Sequence, residues 1–138
     1  MKSIFLDSNI WLRLFLKDQE NQYTQVSNLF KLIEESHLRP YTSTIVFLEV
    51  NFVLTSFYSL TKEKALFYLN KIREVRNITI IENENLDNAL KYYRHYKIKF
   101  TDCLIAAQIP KGLTLVSFDK DFKKIKEVAS LTPAELLS

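Results

Sequence analysis

The sequence predicts an α/β fold, a parallel sheet covered on both faces by helices. Short apolar segments rich in Ile, Val and Phe alternate with longer segments whose apolar residues recur every three or four positions. Strands that alternate with helices in this way form parallel sheets, because each connecting helix packs back against a sheet face. With 138 residues, the chain has the size of one domain, so residues 1–138 are expected to fold together.

The chain begins with a short strand and two helices. Residues 3–6 are apolar and stop at Asp7, which predicts a short buried strand. A short helix is expected over residues 10–16. In residues 23–35 the apolar residues recur at three-to-four spacing, which predicts the buried face of a second helix. Pro40 is expected to end this second helix.

Two further helices precede the second clear strand. After a brief extended piece at residues 41–42, Ser43 or Thr44 can cap a helix over residues 45–54. This helix is apolar nearly all round, so it is expected to be buried. The next helix starts at Thr61, and its predicted inner face carries Leu66, Leu69, Ile72 and Val75.

The second half repeats the alternation. Residues 78–81 predict a strand and residues 85–96 a helix with a basic, aromatic end. Thr101 is expected to cap a short buried helix that ends before Pro110. Residues 113–118 predict a strand that stops at Asp119. A further strand is expected near residues 128–131, followed by a last helical turn from Thr132.

Composition excludes several classes of protein. The longest apolar run is far shorter than the roughly 20 residues that a membrane span needs, and the amino terminus reaches Asp7 too soon for a secretion signal. A cytoplasmic protein without a membrane partner is therefore expected. The lone Cys103 and two histidines give neither an intramolecular disulfide nor a zinc-site spacing. Gly112, the single glycine, excludes glycine-rich phosphate loops.

The net charge of +3 is only mildly basic. If four acidic residues share one pocket, however, the rest of the surface is strongly basic. A basic rim around an acidic pocket suits a metal-assisted enzyme that acts on a polyanion.

Four acidic residues are candidates for that pocket. Asp7 and Asp119 each follow a predicted strand, and ligands of open parallel sheets bind at the carboxyl ends of the strands. Each can alternatively cap the helix that follows it. Glu49 lies inside an apolar helix, where a buried carboxylate needs either a cationic side chain or a metal as partner. Asp102 begins a buried helix. The helix dipole stabilises a carboxylate at this position only slightly, so it does not by itself account for Asp102.

Carboxylates that meet at one point repel each other and raise one another's pKa unless a cation lies between them. Oxygen ligands select Mg²⁺ or Mn²⁺, and such ions activate water for attack on a phosphate. A phosphodiester is therefore the natural substrate of a cluster formed by Asp7, Glu49, Asp102 and Asp119.

At these residues the chain resembles a known family. The segments Ile-Phe-Leu-Asp7-Ser-Asn9, the helical Glu49, Thr-Asp102-Cys-Leu-Ile-Ala-Ala and Leu-Val-Ser117-Phe-Asp119-Lys-Asp-Phe are similar to the ordered acidic motifs of PIN domains. The likeness is closest to VapC-type toxins of prokaryotic toxin–antitoxin pairs and runs the whole length of the chain. Its first and last motifs are the most specific.

The resemblance implies a three-layer α/β/α sandwich with Mg²⁺- or Mn²⁺-dependent endoribonuclease activity. It also implies an RNA substrate, a homodimer and inhibition by a cognate antitoxin. By position, Asp7, Glu49, Asp102 and Asp119 would be the metal ligands and catalytic acids. Asn9 and Ser117 would support them. Asp121 would be a further supporting acid, although the first aspartate of its motif is the usual ligand.

Two other readings of the acids stay open. One is a module of the same fold that binds RNA or protein without cleaving. The other is a receiver or phosphatase-like domain that uses Asp7 as a phosphoryl acceptor, although Asn9 stands where such folds pair a second acid. Two basic segments, residues 91–99 with interleaved tyrosines and residues 120–126, can either guide RNA phosphates or form solvated surface.

Overall fold

A fully parallel sheet of five strands forms the centre of the computed structural model, which describes residues 1–138. The strands are β1 (Lys2–Leu6), β2 (Leu38–Ser43), β3 (Thr79–Ile81), β4 (Thr114–Val116) and β5 (Ser130–Leu131). Their order across the sheet is β3-β2-β1-β4-β5. The helices that connect the strands flank the sheet, so the predicted α/β/α architecture is confirmed.

Seven α-helices surround the sheet. They are α1 (Ser8–Leu16), α2 (Glu20–Glu34), α3 (Thr44–Phe52), α4 (Lys62–Arg73), α5 (Leu86–His95), α6 (Phe100–Gln108) and α7 (Pro133–Leu137). A π-helical turn, Val53–Phe57, continues α3, and a 3₁₀ helix, Lys120–Lys124, follows β4. No helix combines the length and apolarity that a membrane-spanning segment needs.

The second strand is longer than its sequence predicts. Only residues 41–42 were expected to be extended, but β2 runs from Leu38 to Ser43 and includes the buried Pro40. Proline lacks an N–H and is normally confined to strand edges. Here the pairing with β3 begins only at Tyr41, so on that side Pro40 lies where β2 has no neighbour. The missing donor therefore leaves the β2–β3 ladder intact.

Helix α3 is buried on one side only, so the prediction of burial all round is wrong. Val46 and Val50 are fully buried, whereas Leu48 and Phe52 are 68% and 64% exposed. The reason is geometric, because nothing in the chain packs over the outer side of this helix. Ser43 occupies the N-cap position, but its side chain makes no capping hydrogen bond.

Two details of α4 and α6 also differ from prediction. Thr61 caps α4 by accepting a hydrogen bond from the Lys64 amide, as expected. However, Leu66 points outward and is 54% exposed, while Ala65 and Ile72 form the buried contact. Helix α6 begins one residue before Thr101, so that Lys99 rather than Thr101 is its N-cap residue.

Strand order places a switch point between β1 and β4. From β1 the chain moves to β2 and β3 on one side, then crosses to β4 and β5 on the other. Helices leaving β1 and β4 therefore diverge, and the crevice outside the carboxyl ends of these two strands is where open α/β sheets bind ligands.

Candidate active site

The carboxyl ends of β1 and β4 bring the first and last acidic motifs together. Leu6 pairs with Val116, and the Asp7 amide donates a hydrogen bond to the Val116 carbonyl at 3.1 Å. Strand β4 ends at Val116, two residues earlier than predicted. Asp7 follows its strand directly, whereas Asp119 lies three residues beyond β4.

Ser117 is the centre of a hydrogen-bond network that joins these two strand ends. Its buried hydroxyl donates to Asp7 Oδ2 at 2.7 Å and accepts from Asn9 Nδ2 at 3.1 Å. It also accepts from the Asp119 amide at 3.0 Å. Asn9 Oδ1 in turn accepts from the Phe118 amide at 3.2 Å. The network fixes the position of one Asp7 oxygen and the path of the chain toward Asp119.

The capping alternative applies to one of the two aspartates. Asp119 Oδ1 accepts from the Asp121 amide at 2.9 Å and so caps the 3₁₀ helix. Asp7 occupies the N-cap position of α1, but its side chain makes no capping hydrogen bond. Capping thus explains one oxygen of Asp119 and does not explain why a carboxylate is buried at Asp7.

Glu49 and Asp102 come from α3 and α6, two helices that pack against each other. Asp102 lies in the first turn of α6 and is buried, and Glu49 is half-buried. The nearby Ser8 hydroxyl lowers the pKa of the Glu49 carboxyl. Sequence reasoning did not single out Ser8, although its place between Asp7 and Asn9 was a signal.

The carboxyl groups perturb one another. Burial raises the pKa of Asp7 to about 6, and the charges of Glu49 and Asp119 add to that effect, while the Ser117 hydroxyl opposes it. Burial likewise raises the pKa of Asp102 to about 7, with contributions from Asp7, Asp119 and Asp121. Burial and the charges of Asp102 and Asp119 raise the pKa of Glu49. The four acids therefore lie within electrostatic range of each other.

Three of these carboxyl groups have a buried oxygen without a hydrogen-bond partner: Asp7 Oδ1, Glu49 Oε1 and Asp102 Oδ2. None of the four acids forms an ion pair with lysine or arginine, so a structural cation does not explain the burial of Glu49. A hard divalent cation binds carboxylate oxygens, so it can supply the partner that these buried oxygens lack.

The donor types therefore fit Mg²⁺ or Mn²⁺. The side chains as they stand do not bring three carboxylates to a common point at ligand distance. Holding an ion would require the rotation of a side chain or bridging water.

Asp121 differs from the other acids. It is half-buried and pairs with Lys124 at 2.9 Å, so a cationic partner already accounts for it. Its charge still contributes to the raised pKa of Asp102, which places it at the edge of the cluster.

The tyrosines of the first basic segment are less available than their sequence suggests, whereas its basic side chains are exposed and form no ion pair. Tyr92 is buried, and the Tyr96 hydroxyl donates to Glu127 at 2.7 Å. Tyr93 is exposed and its ring contacts Phe100 edge-on. In the second segment, Lys123 pairs with Glu135. Most of the interleaved aromatic rings are thus engaged within the protein.

Comparison with known proteins identifies the fold family. The PIN domain family matches the chain over residues 4–128. The chain belongs to the PIN domain family. No curated protein sequence matches this PIN domain, so solved structures supply the remaining comparisons.

Three solved structures resemble this PIN domain over nearly its whole length. VapBC2 from Rickettsia felis, bound to a promoter DNA fragment, has a TM-score of 0.68 at 21% identity and covers 94% of this chain and 98% of its own. FitAcB from Neisseria gonorrhoeae has a TM-score of 0.67 at 22% identity, with coverages of 95% and 98%. A toxin–antitoxin complex from Klebsiella pneumoniae has a TM-score of 0.63 at 21% identity, with coverages of 94% and 97%. At these identities the likeness shows a shared fold.

Proposed function

We propose that this PIN domain is a Mg²⁺- or Mn²⁺-dependent endoribonuclease and the toxin of a type II toxin–antitoxin pair. One observation carries the proposal. Four carboxyl groups, from α3, α6 and the segments directly after β1 and β4, are electrostatically coupled at the switch point of the sheet, and none forms an ion pair with lysine or arginine. A cluster of this kind destabilises the fold unless a cation neutralises it.

Asp7, Glu49, Asp102 and Asp119 are the residues proposed to hold the ion. When bound, Mg²⁺ or Mn²⁺ would supply a water molecule of lowered pKa and neutralise charge on the phosphate. Asp7 and Asp102 are only 3% exposed, so neighbouring protein groups rather than solvent fix the orientation of their carboxyl oxygens.

Asn9 and Ser117 are proposed to position the acids. Ser117 holds Asp7 Oδ2, which leaves Oδ1 free, and it also holds the backbone of Asp119. Asn9 ties Ser117 to the amide of Phe118. Outer hydrogen bonds of this kind fix the orientation of a metal ligand. Asp121, paired with Lys124, is proposed to act only through its charge.

An antitoxin partner and a homodimer are part of the same proposal. Similarity to VapBC and toxin–antitoxin complexes supports a protein inhibitor. Large exposed apolar side chains on α3, such as Leu48 and Phe52, support a protein contact on that side. Light scattering of the purified chain, alone and after co-expression with any small reading frame adjacent to its gene, tests both.

Substitution of the acids tests the enzymatic proposal. Asp7→Asn and Asp119→Asn should reduce RNA cleavage to the level measured in excess chelator, because each removes a charged ligand. Mn²⁺ should raise the melting temperature of the unchanged protein and have a smaller effect on either variant. Asp87→Asn is the matched control, since this exposed residue lies in the first turn of α5 and forms no ion pair.

Cleavage that survives both substitutions, or that proceeds with excess chelator, contradicts the proposal. Binding of RNA without cleavage in the presence of Mn²⁺ would instead favour the alternative, a PIN domain that binds RNA or protein and does not cut. If cleavage is observed, sequencing the ends of RNA recovered from cells that express the protein identifies the target.

A further inference from the structure

Lys99 is a cation at the edge of the acidic cluster. It is the N-cap residue of α6, and its carbonyl accepts a hydrogen bond from the Cys103 amide at 3.1 Å. This bond fixes the backbone at the start of the helix. The side chain is exposed and forms no ion pair.

The Lys99 charge reaches acids on two different helices. Asp102 lies three residues further along, about one helical turn away and therefore on the same side of α6. Lys99 lowers the pKa of Asp102 and also that of Glu49, which belongs to α3. Because α3 and α6 pack together, the start of α6, where Lys99 is exposed, forms one rim of the acidic cluster.

Two lysines of the 3₁₀ helix after β4 are already engaged. Lys124 is paired with Asp121 and Lys123 with Glu135. Lys99 remains free to turn toward an incoming ligand, because its only interactions with the acids are longer than an ion pair. A long, flexible side chain with a compact charge is suited to contacting a single phosphate.

We propose that Lys99 binds the phosphodiester of the RNA strand that enters the acidic cluster. The inference rests on the proposed nuclease function and adds a substrate-binding residue to it. A phosphate that approaches four carboxylates is repelled by them. A cation at the rim offsets that repulsion and holds the RNA strand next to the carboxylates.

A purely structural role for Lys99 predicts a different outcome. If Lys99 only compensates the charge of Glu49 and Asp102, its removal should destabilise the protein and leave RNA affinity unchanged. If Lys99 binds phosphate, its removal should weaken RNA binding. In either case the loss of a neighbouring positive charge should strengthen the binding of a divalent cation, because the ammonium group repels that ion.

The first experiment measures binding without cleavage. A fluorescent single-stranded RNA of mixed sequence is titrated with the full-length chain carrying Asp7→Asn, with and without Lys99→Met. Lys99→Met should raise the Kd about five- to tenfold at moderate salt and reduce the dependence of log K on log salt by about 0.7, the value for one phosphate contact on a single strand. Lys99→Arg should restore most of the affinity.

Lys111→Met is the matched control. Lys111 is exposed in the loop before β4, at the opposite end of that strand from the acids, and it forms no ion pair. Its substitution removes the same charge from the chain, so it corrects for a general loss of attraction to RNA. An affinity loss in Lys99→Met no greater than that in Lys111→Met overturns the inference.

The second experiment separates this inference from the nuclease proposal. In the otherwise unchanged protein, Lys99→Met should raise the KM for RNA and leave kcat within about twofold, because ground-state and transition-state phosphates are held alike. Mn²⁺ affinity, measured by calorimetry without RNA, should increase about two- to fivefold. Cleavage that does not depend on Lys99 refutes the inference alone. Lys99-dependent RNA binding without any cleavage refutes the nuclease proposal alone.

Discussion

In excess chelator, raising the pH from about 5 to about 8 should destabilise the fold. The pKa of Asp7 stands at about 6 in the folded chain against an ordinary value of 3.8, and that of Asp102 at about 7. The folded state therefore retains protons that the unfolded chain has already released. Stability from these two groups is fully present below the unfolded pKa and is lost as the pH rises through the folded pKa.

The size of the effect follows from the same values. One pKa unit corresponds to about 1.4 kcal/mol, so ionisation of buried Asp7 destabilises the metal-free fold by about 3 kcal/mol and that of Asp102 by about 4 kcal/mol. Because the two carboxyl groups interact, these free energies do not add. Asp7→Asn removes one charge and keeps an acceptor for the Ser117 hydroxyl. The variant should therefore be more stable than the parent by about 1 to 3 kcal/mol at pH about 8, and similar to it at pH about 4.

Urea unfolding with excess chelator measures this difference. Trp11, the only tryptophan, is fully buried and reports on the transition through its fluorescence. Asp87→Asn should give a curve parallel to that of the parent across the pH range, because its carboxyl is exposed. A parent protein whose free energy of unfolding is constant or rises from pH about 5 to about 8 would refute the reasoning, as would an Asp7→Asn variant that is less stable at high pH.

Two further predictions concern the network and the core. Ser117→Ala removes three hydrogen bonds and leaves Asp7 Oδ2 buried without a donor. It should therefore lower the free energy of unfolding by about 1 to 3 kcal/mol and raise the pKa of Asp7 further. Denaturation at several pH values measures both effects, and a pH profile identical to that of the parent would contradict the prediction. Leu54→Ala deletes a fully buried side chain beyond α3 and should cost about 2 to 5 kcal/mol. Solvent-exposed Leu48→Ala is its control, and equal losses in the two variants would show that Leu54 is not a core residue.

Much of the fold could be predicted from local sequence patterns. Alternation of short apolar runs with helical spacing predicts a parallel sheet, because chain direction and crossover length leave few other arrangements. The same patterns place Asp7 directly after a strand and Asp119 close after another. Since parallel strands end at one edge of the sheet, the sequence by itself predicts that two of the four acids lie together.

Other features depended on contacts that spacing does not encode. The faces of α3 and α4 were assigned wrongly at Leu48 and Leu66, because spacing says which residues share a face but not whether another element covers it. The length of β2 depends on its pairing with β1, which starts at Leu38, and Pro40 is tolerated inside the strand because pairing with β3 begins only at Tyr41.

The acidic cluster shows the same division. Sequence alone determined that carboxylates follow β1 and lie within mainly apolar helices, since those positions depend on local periodicity. Only the tertiary structure decided that α3 and α6 bring Glu49 and Asp102 within electrostatic range of Asp7, that Ser117 holds that aspartate, and that Lys99 lies at the rim. Charge interactions act through space between residues far apart in the chain, so they can be determined only when the packing of the helices is known.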